Sequence, residues 1–228
     1  MSNFWKVVNE VILSADILIE VLDARFADET RNEEVESKVK KEGKSLIIVA
    51  NKADLVEGLG IPVNIPKEVL LLSSRERNGL KKLREQIMIE RKRLRKEVVV
   101  VGVLGYPNTG KSSVINELKG RGSARTSPKS GFTIGLQKVK VNKIISMIDT
   151  PGVIPFGEDD EVKHAIMGAK NPEVMESPED AAELIISKFG NLVKAKYGCE
   201  PSLEKIAEKL GRKSKGGGLD LRAASINL

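Results

Sequence analysis

The chain has 228 residues, of which 40% are hydrophobic and 31% charged, a balance typical of a globular α/β domain with a small appendage. No stretch approaches the roughly 18 uncharged apolar residues of a membrane span, and Lys6, Glu10 and Asp16 interrupt the start, so neither a membrane protein nor a secretory signal is expected. Cys199 is the only cysteine, which excludes an internal disulfide and a cysteine-clustered zinc site and predicts a reducing, cytoplasmic setting.

The first half of the chain alternates short apolar runs with polar helical segments. Three buried strands are predicted, at residues 16–22, 45–50 and 68–74. A surface helix is predicted within 29–43. A second helix follows Gly79, where Leu80, Leu83 and Ile87 recur on one face.

The second half begins with the most hydrophobic strand, residues 98–105, which leads into a helix running through Leu118. Residues 136–142 and 143–149 alternate enough to predict a hairpin, with Asn142 and Lys143 as its turn. Beyond Gly152 the character becomes helical, with starts predicted at Ser177 and Ser202 and a short apolar helix at the end. We therefore expect an α/β domain over 1–156 and a helical C-terminal domain, possibly truncated, over 157–228.

One segment fits the phosphate-binding pattern G-x-x-x-x-G-K-[ST] in full: Gly105-Tyr-Pro-Asn-Thr-Gly110-Lys111-Ser112. It lies between a strong strand and a helix, which is the context that a P-loop requires. Backbone N–H groups of such a loop surround phosphates, Lys111 should reach the β- and γ-phosphates, and the Ser112 hydroxyl should hold Mg²⁺. The residues predicted to bind phosphate here are Asn108, Thr109, Gly110, Lys111, Ser112 and Ser113.

A second motif, Asn51-Lys52-Ala53-Asp54, follows the second predicted strand and selects the base. The Asp54 carboxylate can accept N1–H and the exocyclic N2–H₂ of guanine, a pair of donors that adenine lacks. Asn51 should tie the loop, and the Lys52 stem should cover the ring face. One strand later, Ser73-Ser74-Arg75 stands where a backbone N–H meets guanine O6. An ATPase is therefore disfavoured.

A third motif, Asp149-Thr150-Pro151-Gly152, closes the predicted hairpin. Asp149 is placed to hold Mg²⁺ through water and the Gly152 N–H to contact a γ-phosphate. Thr133, within the polar stretch 120–135, is the expected Mg²⁺-sensing hydroxyl, with Thr126 as the alternative. The groups expected to act on the transferred phosphate are Lys111, Thr133 and Gly152.

The order of these motifs is circularly permuted, because the base-reading residues 51–54 and 73–75 precede the P-loop. In the familiar small GTPases the P-loop comes first. A permuted chain keeps the same strands in one sheet when surface termini are rejoined, and residues 91–97 would be the new join. The predicted fold is thus an α/β P-loop GTPase domain with a mostly parallel sheet and helices on both faces.

With these residues in view, the chain resembles the YlqF/RbgA-type (YawG/YlqF) circularly permuted GTPases, a ribosome-assembly group. The resemblance covers about residues 10–155 and is carried, in order, by DILIEVLDAR, NKADL, the SSR loop, GYPNTGKSS, GFTIGLQ and DTPGV. It implies GTP hydrolysis with Mg²⁺ during maturation of the large ribosomal subunit, with rRNA and ribosomal proteins as partners. A monomer is the default expectation.

The resemblance also implies two features of catalysis. Val153 follows the DTPG motif where many GTPases carry a water-orienting Gln, so slow intrinsic turnover is expected. Asn108 occupies the P-loop position that ligates K⁺ in similar potassium-stimulated GTPases, which predicts stimulation by K⁺. Stimulation by the ribosome is expected from the resemblance as a whole. The alternative interpretation of Asn108 is that it only stabilises the turn.

Other interpretations stay open at this stage. A guanine-nucleotide-dependent scaffold for RNA or protein, with negligible turnover, is the main alternative to an enzyme. The basic run 81–96 holds eight Lys or Arg against two Glu and predicts a solvated helix face or, alternatively, an rRNA contact. Because aromatic residues are only 4% of the chain, phosphate contacts should dominate any nucleic-acid binding. His164, the only histidine, is interpreted as structural.

Overall fold

The computed structural model describes residues 3–57, 65–120, 136–152, 160–168, 170–214 and 216–228. The chain divides into two compact units, Met1–Glu158 and Asp159–Leu228. Thr126, Thr133 and Val153, which the sequence singled out, lie outside the described residues. No helix in the described part of the chain is long and apolar enough to cross a membrane.

The first unit is built on one six-stranded sheet with the spatial order β3-β2-β1-β4-β6-β5. The strands β1 to β4 and β6 are parallel, and β5 pairs antiparallel with β6. In chain order the strands are β1 (Ile17–Asp23), β2 (Ser45–Asn51), β3 (Leu70–Leu71), β4 (Val99–Leu104), β5 (Gln137–Lys140) and β6 (Ile145–Asp149).

Helices cover both faces of this sheet, because the buried strands present apolar side chains in both directions. The helices of the first unit are α1 (Asn3–Ser14), α2 (Ala27–Thr30), α3 (Glu33–Lys41), α4 (Ala53–Glu57), α5 (Leu80–Arg93) and α6 (Lys111–Lys119). On one face α5 and α6 pack against Ile17, Ile19, Val101 and Met147. On the other, α1 and α3 pack against Leu18 and its neighbours. The predicted mostly parallel sheet with helices on both faces is confirmed.

The join between α5 and β4 is fixed by three charged side chains. Lys96 Nζ lies 2.5 Å from Asp16 Oδ1, and Asp16 Oδ2 accepts the Val100 N–H at 2.8 Å. The Arg91 guanidinium donates to the Glu97 carbonyl at 2.9 Å. These bonds hold the start of β4 beside β1, which is what the permuted connection requires.

One predicted strand needs correction, one helix was missed, and one correctly predicted helix start lacks the expected capping bond. The strand expected over 68–74 is only Leu70–Leu71, because Leu72 turns its carbonyl to the Ala53 N–H (3.0 Å) and Ser73 pairs with Asn78. The helix α1 was not predicted, although its buried Val8, Val11 and Ile12 have helical spacing. Ser177 precedes the helix Pro178–Tyr197 but makes no side-chain capping bond.

The second unit is helical. Its elements are α7 (Glu161–Ile166), α8 (Pro178–Tyr197), α9 (Leu203–Lys209) and α10 (Leu221–Asn227). A small core formed by Ala182, Val193, Ile206 and Ala224 joins α8, α9 and α10, and Cys199 packs against it. Ser202 caps α9 through the Lys205 N–H, as predicted for that helix start.

Candidate nucleotide-binding site

The predicted motifs meet at one edge of the sheet, because they follow strands that run in the same direction. Asp23 ends β1 and lies opposite Asn51, which ends β2. The P-loop follows β4, and Asp149 ends β6. The carboxyl edge of a parallel sheet is where ligands bind in folds of this type.

The P-loop is held in a conformation that only small residues permit at two positions. Gly105 has φ of 142°, and a Cβ there would stand 2.4 Å from the Val21 carbonyl oxygen. Gly110 has φ of 96° and precedes the first residue of α6, whose N-terminus faces the loop. Asn108 also adopts positive φ, 60°, and is exposed. The loop therefore leads directly into the N-terminus of α6, where backbone N–H groups can bind phosphate.

Lys111 lies buried at the start of α6 and turns back onto the loop. Its Nζ donates to the carbonyl oxygens of Gly105 (2.9 Å) and Tyr106 (2.6 Å). Burial lowers the pKa of Lys111 to about 8, and Asp149 offsets only part of that shift. A buried amine held in this way is available to a phosphate that replaces the two carbonyls.

Ser112 and Asp149 meet beside Lys111. The Ser112 hydroxyl donates to Asp149 Oδ2 at 2.8 Å, although 37 residues separate them. A hydroxyl and a carboxylate oxygen at this distance are hard ligands of the kind that Mg²⁺ prefers, so the pair fits that ion. Gly152 lies against the P-loop, since a Cβ there would stand 2.5 Å from Pro107 Cα.

Asn51 connects three loops of the site. Its Nδ2 donates to the Thr109 carbonyl at 2.9 Å, and its Oδ1 accepts both the Ser74 N–H (3.1 Å) and the Ser74 hydroxyl (2.9 Å). The base-reading loop, the P-loop and the loop 73–78 are therefore fixed to one buried amide. Gly110 has no side chain in part because Asn51 Nδ2 fills that space, 2.3 Å from where a Cβ would lie.

A cleft of about 430 Å³ opens between these loops. On one side, Asp54 Oδ1 accepts the Ser73 hydroxyl at 2.6 Å, which orients the carboxylate. The cleft is lined by Asn51, Lys52, Asp54, Leu55, Ser74, Arg75, Gly110, Ser113, Asn116 and Glu117. Most of the residues predicted to read the base thus share one concavity with the end of the P-loop.

Lys52 is oriented by Asp23, the last residue of β1. Lys52 has φ of 66°, and its Nζ contacts Asp23 Oδ2 at 2.8 Å. Asp23 also pairs with Arg25 at 2.8 Å. Burial alone would raise the pKa of Asp23, but Arg25 and Lys52 outweigh it and hold that pKa below its ordinary value.

Asn116 and Glu117 are cleft residues that sequence reasoning missed. They lie near the C-terminal end of α6, far along the chain from the base-reading motifs. Glu117 Oε2 pairs with Arg77 Nε at 2.6 Å, and Arg77 adopts φ of 62°. No sequence pattern linked them, since the pairing depends on where α6 passes the loop 73–78.

Known proteins resemble this chain in sequence and in fold. A family model described as 50S ribosome-binding GTPase matches residues 100–215, just over half of the chain. The chain belongs to that family. The strand order of the sheet and the order of the motifs in this chain also confirm that it is a circularly permuted GTPase, as the sequence predicted.

Relatives of this GTPase share its sequence over nearly its whole length. An uncharacterized GTP-binding protein, MJ1464 of Methanocaldococcus jannaschii, is 39% identical over 95% of this chain and 61% of its own. Nucleolar GTP-binding protein 2 of Pneumocystis carinii is 34% identical over 95% of this chain and 49% of its own. The chain therefore spans about half to three fifths of the length of these relatives.

Solved structures agree on the fold. GNP-bound YlqF from T. maritima superposes with a TM-score of 0.60, covering 99% of this chain and 91% of that one, at 23% identity. A GDP-bound YlqF structure gives 0.61, with 96% and 90% covered, at 24% identity. This member of the 50S ribosome-binding GTPase family therefore has the fold of YlqF.

Proposed function

We propose that this chain hydrolyses GTP to GDP and phosphate, slowly when alone, and acts as a switch in assembly of the large ribosomal subunit. The observation that carries the proposal is the single edge at which Asp54, Lys111, Ser112 and Asp149 converge, with Asn51 tying the loops together. Membership of the 50S ribosome-binding GTPase family supports the partner.

Each group has a role in this proposal. Asp54, already oriented by Ser73, accepts the two guanine donors, and Ser74 and Arg75 line the same cleft. Lys111 exchanges two loop carbonyls for phosphate oxygens. Ser112 and Asp149 would hold Mg²⁺, which neutralises phosphate charge when bound. The close approach of Gly152 to Pro107 supports its proposed contact with the γ-phosphate.

K⁺ and the ribosome supply what the chain lacks in this proposal. Val153 cannot orient water by hydrogen bonding, so catalysis depends on an added charge near the phosphates. Asn108, exposed on the P-loop at positive φ, is the proposed K⁺ ligand. Thr133 is the proposed hydroxyl that senses Mg²⁺. We expect turnover to be faster in K⁺ than in Na⁺, and faster again with large ribosomal subunits.

The test compares GTP turnover in K⁺ and Na⁺ buffers, with and without large subunits. Stimulation supports the enzyme. A scaffold with negligible turnover is the second candidate, and it would be favoured if nucleotide bound tightly and no condition raised the rate. Co-sedimentation with subunits, comparing GDP with a non-hydrolysable GTP analogue, then identifies which state binds.

Base selectivity is tested at Asp54. Asp54→Asn replaces an acceptor oxygen with a donor amide, so preference should move from guanine towards xanthine nucleotides by at least about a hundredfold. Glu76→Gln, an exposed change in the neighbouring loop 73–78, is the matched control and should leave selectivity unchanged. Equal competition by ATP in the wild-type protein would contradict the assignment of residues 51–54.

A further inference from the structure

The positive charge of this chain is concentrated on one helix and its connection. Residues 81–96 contain eight Lys or Arg and two Glu, an excess of six, which equals the net charge of +6 for all 228 residues. The remainder of the chain is therefore neutral overall. A charge distribution of this kind marks one surface for contact with a polyanion.

In the structure, most of the charged side chains of this segment are exposed to solvent. Leu80, Leu83 and Ile87 bury one face of α5 in the core. Lys81, Lys82 and Lys92 of α5 and Arg95, two residues after its end, are exposed, and we call these four residues the α5 cation face. Eleven residues separate Lys81 from Lys92, which is close to three full turns, so the two side chains project from the same side about 16 Å apart along the axis.

Few of these charges are neutralised within the protein. In the described part of the chain, only Lys96 and Arg93 contact carboxylates, those of Asp16 and Glu90. Arg84 and Arg91 donate to backbone carbonyls instead, which fixes their positions without cancelling their charge. The α5 cation face makes no ion pair with any described residue, so its charges are available to an external partner.

The same surface continues around the amino edge of the sheet. The Val99 N–H donates to the Ile144 carbonyl at 2.9 Å, which brings the join after α5 beside the turn that contains the exposed Lys143. The opposite end of α5 begins at Gly79, directly after the loop 73–78 of the base cleft. The helix thus extends from the nucleotide edge of the sheet to the opposite edge.

We propose that the α5 cation face binds the phosphate backbone of double-stranded RNA. No aromatic side chain is among the large exposed hydrophobic residues of the described chain, so a platform for stacking single-stranded bases is absent there. Duplex RNA is recognised mainly through shape and phosphates, which suits exposed cations spaced about 16 Å apart along a helix. The choice of RNA over other polyanions rests on the proposed ribosomal function.

The test is a matched pair of full-length variants. The first carries Lys81→Gln, Lys82→Gln, Lys92→Gln and Arg95→Gln. The control removes the same charge from exposed lysines elsewhere in the first unit, by Lys6→Gln, Lys40→Gln, Lys41→Gln and Lys67→Gln. Both are measured by fluorescence anisotropy with a 20-base-pair RNA duplex, a DNA duplex and a single-stranded RNA across a salt series.

We expect the first variant to bind duplex RNA at least about tenfold more weakly, with a slope of log affinity against log salt that is smaller by about three. The control should retain most of the affinity. Equal losses in both variants, an unchanged first variant, or stronger wild-type binding to single-stranded RNA or to the DNA duplex than to the RNA duplex would overturn the proposal. GTP turnover without RNA should be the same in both variants. If neither the variants nor the wild-type protein hydrolysed GTP, that result would contradict the proposed function and not the proposed RNA-binding surface.

Discussion

Lys111 is the residue at which the site is most sensitive to pH. In the free protein burial lowers its pKa to about 8, so above that pH the amine is mostly neutral and its two hydrogens satisfy the Gly105 and Tyr106 carbonyls. Phosphate oxygens favour the charged form. We therefore expect nucleotide binding above pH 8 to take up a proton, and affinity to fall by up to about tenfold per pH unit.

Isothermal titration of GDP with Mg²⁺ at pH 7, 8 and 9, in buffers that differ in ionisation enthalpy, measures that proton directly. Uptake should be small at pH 7 and approach one proton at pH 9. Lys119→Arg, at the other end of the same helix, is the control and should keep the wild-type profile. An affinity that stays constant from pH 7 to 9 would contradict the prediction.

Glu20 gives a second pH dependence, of stability. Its pKa is raised to about 8, chiefly by burial, with the Asn32 N–H opposing the shift and Glu36 adding to it. Between its unfolded value near 4.5 and about 8, the folded state holds a proton that the unfolded state has lost. The free energy of unfolding should therefore fall with rising pH in that window, by about 1 kcal/mol per unit.

Glu20→Gln removes this titration and keeps the shape of the side chain. We expect the variant to gain stability over the wild type as pH rises from 5 to 8, in urea unfolding followed by circular dichroism. The exposed Glu34→Gln serves for comparison and should run parallel to the wild type. Parallel curves for Glu20→Gln as well would show that the buried carboxyl is already ionised.

Among the elements, the three loops around Asn51 depend on one side chain. Asn51→Ala leaves the Thr109 carbonyl and the Ser74 donors without partners, at a cost of about 2–3 kcal/mol in stability. Because these loops hold the base and the phosphates in the proposed function, GDP affinity should fall more than tenfold. Ser74→Ala loses only the hydroxyl bond and should cost about 1 kcal/mol. Similar losses in the two variants, measured by thermal melting and titration, would show that the loops are independent.

The elements also show how far sequence alone reaches. The hairpin at 136–149 was predicted and is confirmed, because alternation and an Asn turn are local signals: Asn142 Oδ1 accepts the N–H groups of Ile144 and Ile145. The strand at 68–74 was predicted too long, since Leu72 bonds to Ala53 outside the ladder. Glu117 and Asp23 were not predicted as site residues. Their ion pairs with Arg77 and Lys52 depend on packing between segments that are distant in the sequence.

At the scale of the whole molecule, each of the two compact units has stabilising contacts of its own. The motifs of nucleotide binding all lie in the first unit, Met1–Glu158. In the second unit, the Arg222 guanidinium joins α10 to the segment before α8, donating to the carbonyls of Met175 (2.6 Å) and Glu176 (2.8 Å). A ligand that binds one unit stabilises the contacts of that unit by mass action.

We therefore expect Arg222→Ala to destabilise the second unit by about 1–2 kcal/mol and to leave GDP affinity unchanged. Hydrogen exchange read by mass spectrometry should show faster exchange in α8 to α10 of the variant, while GDP slows exchange at the P-loop and at residues 51–54 in both proteins. Arg212→Ala is the matched control, since Arg212 makes one long contact, 3.4 Å, to Asn227 in the same unit. Weaker GDP binding in Arg222→Ala, with Arg212→Ala unaffected, would contradict this prediction. The bonds of Arg222 lie wholly within residues 159–228 and the nucleotide motifs lie wholly outside that range. Such a result would therefore show that the second unit supports the nucleotide site.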